Sequence, residues 1–455
     1  MHIVVVGNGV AGMEAALSLR SADESLELTV VSEESDNFFS RTALMWVLCG
    51  QLNHADIEPY ERGLYERARL RRIRARAVGL DARGKRLLLA GNRTALSYDR
   101  LLIACGSRPR RPPWPNADLR GIGHFVTMQD LEWLEQELYA GPGQGRPPRP
   151  DQHLGATTDD SPYLPRAPAA TLRSRLAGEP AVIGGGLIGI EAVEVFVAAG
   201  RRPRFFIREE WFWPIALDAR EAAWVAQRLR SHGVDVLLDH EITGFEGDEQ
   251  GTVRCVRTAS GEHACDVVVV AIGVEPNTGW LADSGLELDE LGGIVVGDDL
   301  RTCLPSVFAA GDCASVRWED GTRRPEQLWY TARDQGRVAA RALMGEPVRY
   351  DRGTWYNAAK LMDIEYTTVG QVNRRLSGEQ NWFHEEMGAV RSTTRIVSMA
   401  DRIVGFNALG RRWDHDLVAR WIEERRTLPW VIAHLSEASF DSELVPPPQL
   451  PHTNV

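Results

Sequence analysis

Residues 2–20 read HIVVVGNGVAGMEAALSLR, and this stretch decides the fold. Four apolar residues, Ile3 to Val6, give the pattern of a short buried strand, and MEAALSLRS has the composition of a helix. Between them stands Gly7-Asn8-Gly9-Val10-Ala11-Gly12. Gly7 permits the tight turn, Gly9 lets backbone approach a pyrophosphate, and Gly12 lets helix and strand pack closely. The helix N-terminus then faces the phosphate charge. A second strand, LELTVV, ends at Ser32-Glu33, about twenty residues past the turn, where a dinucleotide fold keeps a carboxylate for ribose hydroxyls.

The pattern returns once. AVIGGGLIG at 181–189 repeats the strand and the turn, with Gly184, Gly186 and Gly189 in the three glycine positions. The helix IGIEAVEVFVAAG follows, and the next strand runs out through RPRFFIREE. At its end, Glu209 suits a free ribose hydroxyl and Arg208 suits a 2′-phosphate, so the choice between NADH and NADPH stays open. Two such units so far apart predict an α/β chain with two Rossmann-like, three-layer nucleotide-binding domains. The Pro/Gly-rich stretch 141–170 reads as an insertion. From about 346 the alternating apolar stretches MDIEYTTVGQV and RIVSMADRIVGFNAL read as strands, and HDLVARWIEERR as a helix, of a C-terminal α+β domain.

Composition limits the functions. The 455 residues carry a net charge of −11, which argues against a general nucleic-acid or anionic-membrane binder. The longest apolar run, VVVVAIGV, is far short of a membrane span. The six cysteines form neither CxxC nor a zinc-ligand spacing, which fits a reducing cytoplasm and no metal. Lys85 and Lys360 are the lysines of the chain.

Three further segments join the two glycine turns in a fixed order: LLIACGSRP (101–109), VVVVAIGVEPN (267–277) and TCLPSVFAAGD (302–312). Together they resemble the FAD-dependent pyridine nucleotide–disulfide oxidoreductase superfamily over roughly residues 1–345. The resemblance implies an FAD-binding domain from 1–115 and 267–345, an NAD(P)H-binding domain from 116–266, and a third domain at 346–455. In that family the third domain covers the flavin face or forms a homodimer. It also implies that Gly7, Gly9, Ala11, Gly12 and Glu33 hold the ADP half of FAD, and that Gly311 and Asp312 hold its ribityl chain. Ala104 and Gly106, with Ala271 and Gly273, sit where the chain crosses between domains. Trp329, in QLWYTARDQG, is a candidate to contact the flavin ring.

Within the superfamily, disulfide reductases carry a CxxxxC pair and coenzyme A-disulfide reductases a single cysteine. Ferredoxin and rubredoxin reductases carry a segment like R-P-x-L instead. Here FFSRTALMWVLCG (38–50) reads Arg41-Thr42-Ala43-Leu44, closest to the last group, with Arg41 near FAD and Cys49 offset from the redox position. That group also has a lysine two residues after the leucine, paired with a glutamate on the second fingerprint helix. The glutamate is matched by Glu191, but the lysine position holds Trp46, leaving Lys360 or Arg41 as candidate partners. The expected function is oxidation of NAD(P)H through FAD, with electrons passed to a ferredoxin, a rubredoxin or a small acceptor. The alternatives are an NADH oxidase, a quinone or coenzyme A-disulfide reductase-like enzyme, or a slow flavin redox sensor.

Overall fold

The computed structural model describes residues 1–61, 63–91, 95–139, 178–318, 321–387 and 391–440. The 141–170 stretch lies outside them. The chain divides into two compact units. One comprises Met1–Arg111, His124–Glu135 and Gly273–Arg352; the other comprises Pro112–Gly123, Gln136–Ile272 and Gly353–Val455.

The first unit is built on a five-stranded parallel sheet. Its order is Val307–Ala309, Arg100–Ile103, His2–Val6, Glu27–Ser32, Leu70–Arg74. Strand His2–Val6 lies in the middle, and Ile3, Val4 and Val5 are wholly buried. A central parallel strand has both faces covered, which is why it reads as a continuous apolar run. Helix Val10–Ala22 packs against helix Trp329–Leu343 through small residues. A Cβ on Gly336 would lie 2.5 Å from the Ala11 carbonyl oxygen, so glycine is what lets the two backbones meet. Strands Ser107–Pro109 and Val274–Pro276 pair antiparallel, joining two of the sequence segments that pointed to the fold.

The second unit repeats the plan. Its parallel sheet runs Asp235–Leu237, Arg204–Phe206, Ala181–Ile183, Val268–Val270, Ile122–Gly123. Helix Leu187–Ala198 follows the central strand, as Val10–Ala22 does in the first unit. The same unit holds a five-stranded antiparallel sheet in the order Tyr356–Leu361, Ile364–Gly370, Arg402–Leu409, Arg391–Met399, Glu379–Met387. Helices His415–Glu423 and Leu428–His434 bury Val418, Trp421 and Val431 in a core shared with this sheet. The fold is thus the expected one: two Rossmann-like parallel sheets and an α+β part. Among the described residues, no helix is long and apolar enough to cross a membrane.

Candidate functional site

The two glycine turns have the same geometry. Gly7 has φ +115°, and a Cβ there would lie 1.9 Å from the Ala104 carbonyl oxygen. Gly184 has φ +118°, and a Cβ there would lie 2.2 Å from the Ala271 carbonyl oxygen. Any side chain is excluded twice over, by strain and by collision. Gly12 and Gly189 press their helices onto the turns, with Cβ positions 2.1 and 2.0 Å from the oxygens of Gly7 and Gly184. Gly9 and Gly186 differ: a Cβ on either meets nothing within 4 Å. They cap their helices with no side chain bonded to the first amides, so these donors face open space. Beside the first turn, Asn8 is buried and its Oδ1 has no partner among the described residues. Two turns with open-space glycines and helix amides that no side chain caps fit two dinucleotides.

Asp312 closes the first cradle. Ser107 Oγ donates to Asp312 Oδ2 at 2.6 Å, and the Gly311 amide donates to the buried Gln335 Oε1 at 2.7 Å. Gly311 takes φ +78°, its Cβ position 3.0 Å from the Ala11 Cβ, which accounts for the small residue at 11. Burial raises the Asp312 carboxyl above the usual carboxylate range, while the Ser107 hydroxyl and the Arg41 charge pull it down. Arg41 therefore lies within electrostatic reach of Asp312. It is held by a bidentate pair with Glu34, at 2.7 and 2.9 Å, and also donates to the Val126 carbonyl. The Met128 amide donates to Glu34 as well, at 3.0 Å. Glu33, one residue past strand Glu27–Ser32, is exposed to solvent, and Gly106 takes φ +66°. Trp329 begins its helix half-buried, with Tyr330 edge-on at 5.5 Å and Arg333 over its ring at 5.4 Å.

The second cradle carries a buried charge cluster. Glu194 accepts from Lys360 Nζ and from the Met362 amide, each at 2.7 Å. Lys360 thus bonds Glu194 rather than Glu191, the partner weighed from sequence. Glu191 lies three residues back on the same helix face. Burial and the Glu194 charge push the Glu191 carboxyl up to about 8, opposed by Lys360. Burial also raises Glu194, to about 7, against the pull of Lys360. Two carboxyls share one ammonium, so one of them keeps its proton at neutral pH. Just past strand Arg204–Phe206, Arg208 is exposed and pairs with Glu209 at 2.9 Å. Gly273 takes φ +99° where the chain enters the Val274–Pro276 strand.

Cys49 is buried at the C-cap of helix Leu44–Leu48 and donates its amide to Met45. It is no surface thiol beside the Arg41-Thr42-Ala43 turn. Two of the three arginines of strand Leu70–Arg74 pair with acids: Arg72 with Glu66 and Arg74 with Asp36.

The pyridine nucleotide-disulphide oxidoreductase profile matches residues 1–336. The chain belongs to this family. Members of the family use FAD and NAD(P)H, and the chain is an FAD-dependent NAD(P)H oxidoreductase. A probable ferredoxin reductase of Castellaniella defragrans is 27% identical over 360 residues, 78% of each chain. The NAD(P)H nitrite reductase of Bacillus subtilis is 26% identical over 459 residues, covering 100% of this chain and 50% of that one. The putidaredoxin reductase in a covalent complex with putidaredoxin shares the fold, with a TM-score of 0.76 over 93% of both chains at 20% identity.

Sequence reasoning missed Glu34, Ser107, Gln335 and Glu194. A signal existed for Glu194, one helical turn from Glu191 on a helix otherwise apolar at its buried positions. No local signal marks Gln335, since its partner lies on a strand end in another part of the chain.

Proposed function

We propose that the chain takes a hydride from NAD(P)H onto FAD and passes electrons to a ferredoxin- or rubredoxin-type one-electron carrier. FAD, when bound, supplies the step between a two-electron donor and a one-electron acceptor. The first unit, residues 1–111, 124–135 and 273–352, would hold it. Gly7, Gly9 and the first amides of helix Val10–Ala22 would cradle its pyrophosphate, Glu33 its ribose, and Asp312 its sugar chain. Arg41, fixed by Glu34, would orient the cofactor rather than react. Gly184, Gly186 and Gly189 would hold NAD(P)H, with Arg208 and Glu209 at its ribose. Glu191 would hold a proton at its carboxyl at neutral pH, so that this site presents a neutral group. The C-terminal α+β part, from about 346, would be the third domain.

The observation that carries the reading is the paired glycine geometry together with the Arg41-Thr42-Ala43 turn, which has no thiol, and the burial of Cys49. The relationship to a ferredoxin reductase supports the acceptor class. The test is an anaerobic titration of thiol-reduced protein with NADH and NADPH, followed by stopped-flow mixing with a [2Fe–2S] ferredoxin and with a rubredoxin. The expected result is full flavin reduction after two electrons per FAD, without a thiolate–flavin charge-transfer band, then rapid reduction of one iron–sulfur carrier. Uptake of four electrons, or a long-wavelength band lost on replacing Cys49, would overturn it. So would reduction of oxygen or quinone outpacing both carriers.

A further inference from the structure

The two glycine cradles match bond for bond along their backbones, and the match separates their ribose positions. In the first, the Gly7 amide donates to the Val31 oxygen at 2.8 Å, and the Ala75 amide to the Ser32 oxygen at 2.9 Å. In the second, the Gly184 amide donates to the Phe206 oxygen at 2.9 Å, and the His240 amide to the Ile207 oxygen at 3.0 Å. The strand registers agree, with Val6 opposite Val31 and Ile183 opposite Phe206. Val31 therefore matches Phe206, and Ser32 matches Ile207. The next residue is Glu33 in the first cradle and Arg208 in the second. Glu209 matches Glu34, the acid that in the first cradle holds Arg41 and the Met128 amide.

That exchange reverses the chemistry of the position. A carboxylate such as Glu33 accepts from ribose hydroxyls and repels a phosphate. Arg208 has five N–H donors and no acceptor, and its planar fork matches the oxygens of a phosphate. The side chain is available: Arg208 is 74% exposed, and its bond to Glu209 is that of an exposed pair, weak beside a charge-assisted bond to a phosphate dianion. The loop that follows is fixed at several points. The Trp211 indole donates to the Leu217 oxygen at 3.3 Å, and Asn373 Nδ2 donates to the oxygens of Pro214 and Leu217 at 3.2 and 2.6 Å. Two residues beyond Asn373, the exposed Arg375 lies over the Trp211 ring, 5.3 Å from its centre. A second positive charge thereby reaches the loop and offsets the exposed Glu210.

We propose that Arg208 selects NADPH over NADH, its guanidinium binding the 2′-phosphate of the adenosine ribose at the position that Glu33 has in the first cradle. The inference rests on the reading of the second cradle as the NAD(P)H site and names which of the two nucleotides it takes. The 2′-phosphate is remote from the nicotinamide, so the selection acts on binding and leaves the hydride step alone. Glu209 remains as an acceptor for a ribose hydroxyl, which keeps NADH a poorer substrate rather than an excluded one.

The test uses the full-length, FAD-loaded protein and two readouts. Calorimetry compares the binding of adenosine 2′,5′-bisphosphate with that of adenosine 5′-monophosphate. Anaerobic stopped-flow compares flavin reduction by NADPH and by NADH over a range of concentrations. The bisphosphate should bind at least about tenfold more tightly than the monophosphate, and NADPH should show an apparent Kd at least about tenfold below that of NADH, with similar limiting rates. Arg208→Gln should cut both ratios by about tenfold, and Arg208→Lys should restore part of the loss, since lysine keeps the charge without the fork. NADH binding as tightly as NADPH, or ratios that Arg208→Gln leaves in place, would overturn the inference while flavin reduction still upholds the NAD(P)H reading. Failure of both nucleotides to reduce the flavin would overturn that reading and the inference with it. Arg208 is exposed, so its replacement should spare the fold, and the parent protein's ratios are read without any variant.

Discussion

Replacing Glu191 with glutamine should flatten the pH dependence of stability. Burial, with the Glu194 charge, pushes Glu191 up to about 8, and burial, with the Asp363 charge, pushes Glu194 up to about 7, against the single Lys360 ammonium. In the unfolded chain a glutamate titrates near about 4.3. The native state therefore binds more protons than the unfolded state between these limits. The slope of unfolding free energy with pH follows the proton number of the unfolded state minus that of the native one, so it is negative here. Stability from this site is greatest below about pH 4.5 and is lost as pH rises toward 7 to 8. Each pH unit costs about 1.4 kcal/mol per group, and from about pH 5.5 to 7.5 Glu191 alone loses roughly 2–3 kcal/mol. A kilocalorie moves the melting temperature of a unit of 150–250 residues by about 2–4 °C, so the expected drop is roughly 4–12 °C. Glutamine removes the titration and keeps the shape. The assay is thermal unfolding of the FAD-loaded parent and of Glu191→Gln across that range. The difference in melting temperature should open steadily in favour of the variant as pH rises. Parallel profiles would refute the argument that Glu191 is held neutral.

Gly12→Ala should destabilise the fold by about 1–3 kcal/mol or more, because its Cβ would stand 2.1 Å from the Gly7 oxygen; chemical unfolding checks this. Gly9→Val should leave the melting temperature of the cofactor-free protein almost unchanged yet weaken FAD retention at least tenfold in a fluorescence titration, since the space beside Gly9 is free of protein atoms. Lys360→Met should destabilise by up to about 3 kcal/mol at pH 8, where Glu194 is ionised, and much less at pH 6, where Glu194 takes a proton; denaturant unfolding at both pH values reads this. Glu209→Ala should raise the KM for NADH about tenfold and that for NADPH less, because it also releases Arg208 toward a 2′-phosphate.

The parts legible in the sequence are those fixed by backbone sterics. Gly7 and Gly184, at φ +115° and +118°, and Gly12 and Gly189, whose Cβ positions would stand 2.1 and 2.0 Å from a carbonyl oxygen, leave marks no other residue can leave, so these four could be read at sight. Strands Ile364–Gly370 and Arg402–Leu409 were legible because one face is apolar. Strand Glu379–Met387 was not, because EQNWFHEEM is an edge strand with no fully buried residue. The turn between Arg391–Met399 and Arg402–Leu409 is built by Ala400 and Asp401, both at positive φ, without the Asn-Gly signature of such hairpins. Contacts between distant side chains, such as Lys360 with Glu194, follow from tertiary packing and have no local pattern to betray them.

The order of the first sheet bears on how the protein is made. Strand Arg100–Ile103 gains its outer neighbour only when Val307–Ala309 emerges, about 200 residues later in the chain. At a synthesis rate of about 5–20 residues per second, that is a wait of roughly 10–40 s. Through that interval the nascent sheet ends in an unpaired edge of Leu101, Leu102 and Ile103, all wholly buried once the chain is complete. Such an edge invites pairing with other chains. The interleaved layout that places Asp312 in the first cradle therefore makes a chaperone most useful during translation, before the last third of the chain has left the ribosome.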